Sequence, residues 1–187
     1  LLESVIVSKI NPKDLIIGDK NAILIATRVL GYGSDYTVKI DGKLHTIDIS
    51  ELENKVFDKS LIEPGKNEFS FVLPHSNTPI TYKILNGHDE SKIERELKGL
   101  KKINKNSSPE ASTRLKYTLT SVNGETETKD IRDFVDNYFL ARDTRAFREH
   151  LRNTQPDVDL SVVLDSGEEV LVPIGLSFFW PDLEDRS

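Results

Sequence analysis

Residues 128–182 read TKDIRDFVDNYFLARDTRAFREHLRNTQPDVDLSVVLDSGEEVLVPIGLSFFWPD, and this stretch decides the fold. Its first half places Ile131, Phe134, Val135, Tyr138 and Phe139, then Ala146, Phe147 and Leu151, at helical spacing. That pattern predicts two short amphipathic helices, one capped by Thr128 and one by Asp143 or Thr144, with Gln155-Pro156 as the stop. Residues 160–164 and 170–172 predict a hairpin around Ser166-Gly167, and the stretch closes on Phe178, Phe179 and Trp180. A core needs large rigid side chains, so the earlier helices are expected to pack onto this segment.

Just upstream, Ser107 or Ser108 followed by Pro109 and Glu110 opens a further helix. Leu115, Leu119 and Val122 line its buried face, and Asn123-Gly124 ends it. A helix over 89–103 turns Ile93, Leu97 and Leu100 to one side. Its other side interleaves Glu90, Glu94 and Glu96 with Lys92, Arg95, Lys98, Lys101 and Lys102, acids leading and bases trailing as the helix dipole favours. Mixed charge of this kind reads first as a solvated face. Residues 68–73 and 80–85 form a hairpin across the loop 74–79.

Nearer the N-terminus, residues 36–40 and 43–49 alternate around Asp41-Gly42, a dipeptide that accepts a type I′ turn. Ser50 and Glu53 resemble a capping box for a short helix reaching Phe57. Ala22, Ile23, Ala26, Val29 and Leu30 share one helical face, with Asp19 as N-cap and Gly31 at the C′ position. Gly31-Tyr32-Gly33 therefore reads as a helix stop, because no strand–glycine–helix context makes it a phosphate loop. Residues 1–7 have the apolar content of a strand. The expected class is α+β, antiparallel β-hairpins flanking a layer of three to four short helices. The expected division is an N-terminal α/β lobe with a hairpin (1–57), a linker around Pro64-Gly65 (58–67), and a main lobe holding a hairpin, the helical layer and the C-terminal hairpin (68–187).

The totals narrow the function classes. The chain has 187 residues, 37% hydrophobic and 30% charged, which is long and apolar enough for one or two folded domains. A net charge of −6 argues against general binding to nucleic acid or to an anionic membrane. No apolar run approaches the roughly 18 residues that span a bilayer, and no signal-peptide pattern opens the chain, so a soluble, cytosolic protein is expected. Cysteine is absent, which removes thiolate chemistry and cysteine-ligated metals. Methionine is absent too, so the chain is expected to begin downstream of its translation start or to lack residues. An intact mass of 21.1 kDa would remove that expectation.

Chemistry-bearing residues are sparse. His45, His75, His88 and His150 show no ligand spacing, and the acidic clusters at 157–159 and 165–169 lack the alternating oxygens of a calcium loop. No nucleophile elbow, P-loop or zinc-protease motif is present. Arg142, Asp143 and Arg145 stand at a helix–helix corner. A guanidinium fork can pair a carboxylate in two places and lock such a corner, or the group can meet a partner. Phe178, Phe179 and Trp180 pose a similar choice between core and interface anchor.

Taken together, TRLKYTLTSVNG, IRDFVDNYFLARDTRAFREH, QPDVDL and PIGLSFFWPD resemble the baseplate hub subunit and hub assembly protein family of T-even-like contractile-tailed bacteriophages. The resemblance covers about residues 68–182, and GDKNAILIATRVLGYGSDY adds a second block. It implies a non-enzymatic structural or assembly component of the tail, with no catalytic residues to carry over. Its partners would be other baseplate hub or tail proteins, or a second copy of the same chain. Its location would be the host cytoplasm during assembly, and the virion as well if it stays in the finished particle rather than acting as a transient assembly factor. Relatives often carry Cys-x-x-Cys pairs resembling zinc ribbons at their hairpin tips. The corresponding tips, Asp41-Gly42 and Asp165-Ser166-Gly167, hold none, so no cofactor is expected; zinc enters only if cysteines are missing from the chain as written. The alternative from another class is a phage-encoded regulatory module that contacts a host protein or nucleic acid through the 92–105 helix.

Overall fold

In chain order the computed structural model contains α1 (Leu2–Val5), α2 (Ile17–Tyr32), β1 (Asp35–Ile40), β2 (Lys43–Asp48), β3 (Phe69–Val72), β4 (Pro79–Tyr82), α3 (Gly87–Ile103), α4 (Glu110–Thr118), β5 (Leu119–Val122), α5 (Thr128–Asp133), α6 (Ala141–Thr154), β6 (Ser161–Val163) and β7 (Glu169–Leu171). The structure describes residues 2–7, 9–40, 42–57, 63, 65–103, 109–164, 166–174, 178 and 179. The class is α+β with antiparallel hairpins, as the sequence predicts. Sheets run β1-β2, β3-β4-β5 and β6-β7, every pairing antiparallel.

The chain divides into two compact units. The first takes Leu1–Pro12, Ile17–Val56 and Pro156–Ser187, the second Lys13–Ile16 and Phe57–Gln155. The change at residues 56 and 57 falls beside the expected linker, whose residues 58–62 and 64 lie outside the described ones. The C-terminal hairpin, however, groups with the N-terminal elements and not with the main lobe. Main-chain bonding explains this: Lys55 N donates to Asp157 O at 2.9 Å and Asp159 N to Glu53 O at 2.8 Å, stitching residues 53–55 to 157–159. The decisive stretch is thus split at Gln155-Pro156, and its helices belong to a different core from Phe178 and Phe179.

In the first unit, β1 and β2 pair Ile40 with Lys43, leaving the two-residue turn that Asp-Gly predicts, with Gly42 at φ 80°. Asp41 itself lies outside the described residues. The inward residues Tyr36, Val38 and Ile47 join Ile25, Ile49, Val158, Leu164, Val172, Phe178 and Phe179 in one core. Tyr36 meets the Phe178 ring edge-on at 5.0 Å, and Phe178 meets Phe179 at 5.2 Å.

Three local expectations change here. Residues 2–5 form a single helical turn, since among the described residues no strand pairs with them to hold an extended form. Helix α2 runs through Gly31, and the left-handed residue that ends it is Gly33 (φ 84°), whose N–H reaches Val29 O at 3.0 Å; Asp19 sits inside the first turn. The buried Arg28 guanidinium donates to Gly33 O and Asp35 O at 2.9 and 3.1 Å, tying the helix to the start of β1. Third, the segment after β2 is one 3-10 turn, Ile49–Glu51. Asp48 caps it in place of Ser50, accepting from Ser50 N at 2.9 Å.

The second unit packs its helices against the sheet β3-β4-β5. Its core holds Leu73, Ile80, Tyr82, Leu115, Leu119, Val122, Ile131, Val135 and Phe147. Helix α3 is capped by Asn86, whose side-chain oxygen accepts from His88 N and Asp89 N at 3.0 and 3.1 Å. Residues 119–122 correct the sequence reading, which continues α4 to Val122. They form strand β5 instead, because β4 offers a free edge and the stretch is rich in β-branched side chains. Asn123 and Gly124 then turn at positive φ, 52° and 86°. Thr128 is the first residue of α5 and caps nothing; the N-cap position is Glu127, with no side-chain bond.

Candidate interaction surfaces

Helix α6 begins at Ala141 after Leu140, so Asp143 and Thr144 lie inside its first turn and are not caps. A carboxylate there suits the helix dipole, but this one is turned wholly inward. Asp143 Oδ1 accepts His75 N at 2.8 Å and Oδ2 accepts Ser76 N at 3.0 Å. Both N–H groups belong to the turn between β3 and β4, which closes through Leu73 N to Thr78 O at 3.0 Å. Burial pushes the Asp143 carboxyl upward, yet the His75 and Ser76 donors outweigh it and hold the group below its ordinary value. The corner is locked, and main chain supplies the partners. Arg142 and Arg145 do not pair Asp143: both are exposed, with no ion pair to a described residue.

Immediately before this corner, Phe134–Tyr138 forms a π-helical turn, with Phe139 N donating to Phe134 O at 2.8 Å. The widened turn tucks the Phe134 and Phe139 rings together at 5.3 Å. It leaves Tyr138 63% and Leu140 50% exposed. Such turns recur at functional sites. Tyr138, Leu140, Arg142 and Arg145 are each exposed, beside backbone pinned from within by Asp143. Tyrosine and arginine on a rigid base are what protein interfaces use as anchors.

The other sequence candidates fall elsewhere. Phe178 and Phe179 are buried in the first unit's core and present no ring to a partner. Trp180 lies outside the described residues. On α3, Glu94 holds Lys98 at 2.7 Å and Glu90 holds Arg114 at 2.7 Å, so acids interrupt the basic surface of the 92–105 helix. Residues 104 and 105 lie outside the described ones.

Two clusters escaped sequence reasoning. Arg132 donates to both Glu96 oxygens at 2.8 and 2.7 Å while Tyr117 OH donates to Glu96 at 2.9 Å, joining α3, α4 and α5. Hydrogen bonding to Arg132 lowers the Glu96 carboxyl, and the same contact raises Arg132. His150 stacks on Phe71 at 4.2 Å and bonds Tyr82 OH at 2.8 Å; burial pushes its pKa down. A helical count places His150 four residues before Thr154 on α6, but nothing local reveals the Phe71 and Tyr82 rings. Among the described residues no group of three or more His, Cys, Asp or Glu could hold a metal ion. The chain has no cysteine, and no zinc site is seen among the described residues. Among them also, no helix is long and apolar enough to cross a membrane.

No known family model matches the chain, and no curated protein or solved structure matches it.

Proposed function

We propose that the protein is a structural or assembly component of a bacteriophage tail baseplate hub, acting by non-covalent association with other hub or tail proteins and not by catalysis. The reading draws its biological setting from the resemblance over residues 68–182. The single observation that supports association is the exposed Tyr138, Leu140, Arg142 and Arg145 surface on a corner held by buried Asp143. A preorganised patch loses little side-chain and loop freedom on binding, so more of its contact energy appears as affinity.

The test is capture from infected cells with tagged full-length protein beside a Tyr138→Ala/Arg142→Ala variant. Hub or tail proteins should come down with the parent and be lost with the variant, while the variant keeps the parent's circular dichroism and unfolding midpoint. Equal capture by both, or capture without any tail protein, would overturn the reading. Proteomics of purified particles separates a resident subunit, present in mature tails, from a transient assembly factor.

A further inference from the structure

The first unit contains a groove of about 700 Å³ between β2 and β6. Each wall is a sheet edge: β2 pairs with β1 and β6 with β7, and among the described residues neither strand has a second ladder. Residues of an antiparallel pair alternate in aiming their N–H and C=O at the partner or away from it. Ile49 N bonds Ser34 O, so 43, 45 and 47 face β1, and Leu44 and Thr46 turn their main-chain groups toward the groove. On the opposite wall Val172 N bonds Leu160 O and Leu164 N bonds Glu168 O. Val163 therefore offers N–H and C=O to the groove, and Ser161 offers its C=O; the Ser161 N–H is held by Asp159 at 3.0 Å. The walls converge where residues 53–55 bond 157–159, so a main-chain ladder closes one end.

Unpaired edges are templates for an added strand, and the side chains select which strand. Leu44 and Val163, exposed by 71% and 68%, stand on opposite walls. Asp48, Glu51, Glu53 and Asp159 also line the groove, and among the described residues no lysine or arginine does. Asp48 and Asp159 each close an Asp-x-Ser turn, accepting Ser50 Oγ at 2.6 Å and Ser161 Oγ at 2.7 Å. Those bonds hold both carboxyls low, hence charged at neutral pH. Lys55, near the closed end, is engaged with Asp157 at 3.8 Å. At a strand spacing of about 4.8 Å, a rise of about 3.4 Å and a sheet thickness of about 10 Å, the volume matches roughly four residues.

We propose that this groove receives an extended segment of a partner protein, with lysine or arginine at alternate positions, which pairs by its main chain with β2 and β6. Alternation follows from the pleat: Leu44 and Asp48 share one face of β2, so a strand laid alongside presents every second side chain to the acids. Phosphate-bearing nucleic acid is disfavoured by the same carboxylates. The inference stands on the first unit alone and does not depend on the corner at Tyr138.

The probe is the peptide acetyl-Lys-Val-Lys-Val-Lys-amide, titrated at low salt into the full chain with backbone amides followed by NMR. Saturable shifts at Leu44, Thr46 and Val163 with a Kd below about 1 mM are expected. Replacing the peptide's lysines by glutamate, or methylating its valine nitrogens, should weaken binding tenfold or more. Thr46→Pro removes a groove-facing N–H without breaking a bond to β1, and should do the same; if it fails to fold, Thr46→Lys places a cation in the groove and should also weaken binding tenfold. The proposal is overturned by absent shifts at those residues at several millimolar peptide, or by methylated peptide binding within twofold of its parent. It is equally overturned if the chain dimerises and Thr46→Pro abolishes the dimer, since the occupant is then a second copy.

Discussion

Asp143 accepts the backbone N–H of His75 at 2.8 Å across 68 residues of sequence, and the wholly buried carboxylate takes Ser76 as well. Replacing it with asparagine puts an amide NH₂ where one acceptor oxygen stands, facing a buried N–H. Asp143→Asn should cost about 2 kcal/mol of stability, read by urea unfolding at neutral pH. The acid limb has a definite sign. The folded-state carboxyl lies below the unfolded one, so its contribution is complete above the ordinary aspartate value of 3.8 and fades as pH falls through the folded value. The parent should lose stability in that window more steeply than Asp143→Asn; parallel curves would show that the carboxylate charge contributes nothing.

Arg132 and Glu96 test a different kind of contact. Lysine keeps the charge but cannot span both carboxylate oxygens, and it loses the guanidinium lying over the Tyr117 ring at 5.6 Å. Both partners are partly exposed, which limits the effect. Arg132→Lys should lower stability by about 1 kcal/mol, and a double-mutant cycle with Glu96→Gln should show most of that loss as coupling. Additive losses would mean that the bidentate geometry is energetically idle.

His150 makes the fold sensitive to mild acid. Burial against Phe71 and Tyr82 disfavours the imidazolium, so the folded pKa lies below the ordinary 6.5. Between those values the unfolded chain binds more protons than the folded one. Stability is therefore full above about pH 6.5 and falls as pH drops toward the folded pKa. His150→Gln should flatten the difference between urea midpoints measured at about pH 7.5 and about pH 5.5. An unchanged slope would show that His150 does not carry the effect.

Gly18, in the first turn of α2, lies directly against the Pro156 carbonyl; a β-carbon there would overlap backbone, which cannot swing aside. Gly18→Ala should destabilise the first unit by about 2 kcal/mol or more, against the small gain alanine brings to an open helical site. Gly99→Ala, in α3 with open space around it, is the control and should be neutral or stabilising.

Thr113 presents the opposite case. Its side chain is buried and its hydroxyl has no hydrogen-bond partner among the described residues. Thr113→Val keeps the shape and removes an unpaid desolvation, so thermal unfolding should shift upward by the equivalent of about 1 kcal/mol. A drop would indicate that a water satisfies the hydroxyl.

Local chemistry alone determined much of this protein. Asp41-Gly42 set a two-residue hairpin because a glycine accepts the left-handed conformation its turn demands, and the alternation of Tyr36, Val38 and Ile47 set which face is buried. The helical stripes Ile131/Val135 and Phe147/Leu151 were equally readable, since burial on one face imposes a period of 3.6. Tertiary structure decided the rest. Leu115, Leu119 and Val122 fit a helical face on paper, and only the free edge of β4 made the last two strand. Gln155-Pro156 was legible as a break, but that the chain there leaves one core for another depends on bonds from Glu53 and Lys55 a hundred residues earlier. Asp143 stood out as part of an Arg-Asp-x-Arg corner, yet its partners are main-chain N–H groups, which carry no mark in the sequence of which side chain will reach them.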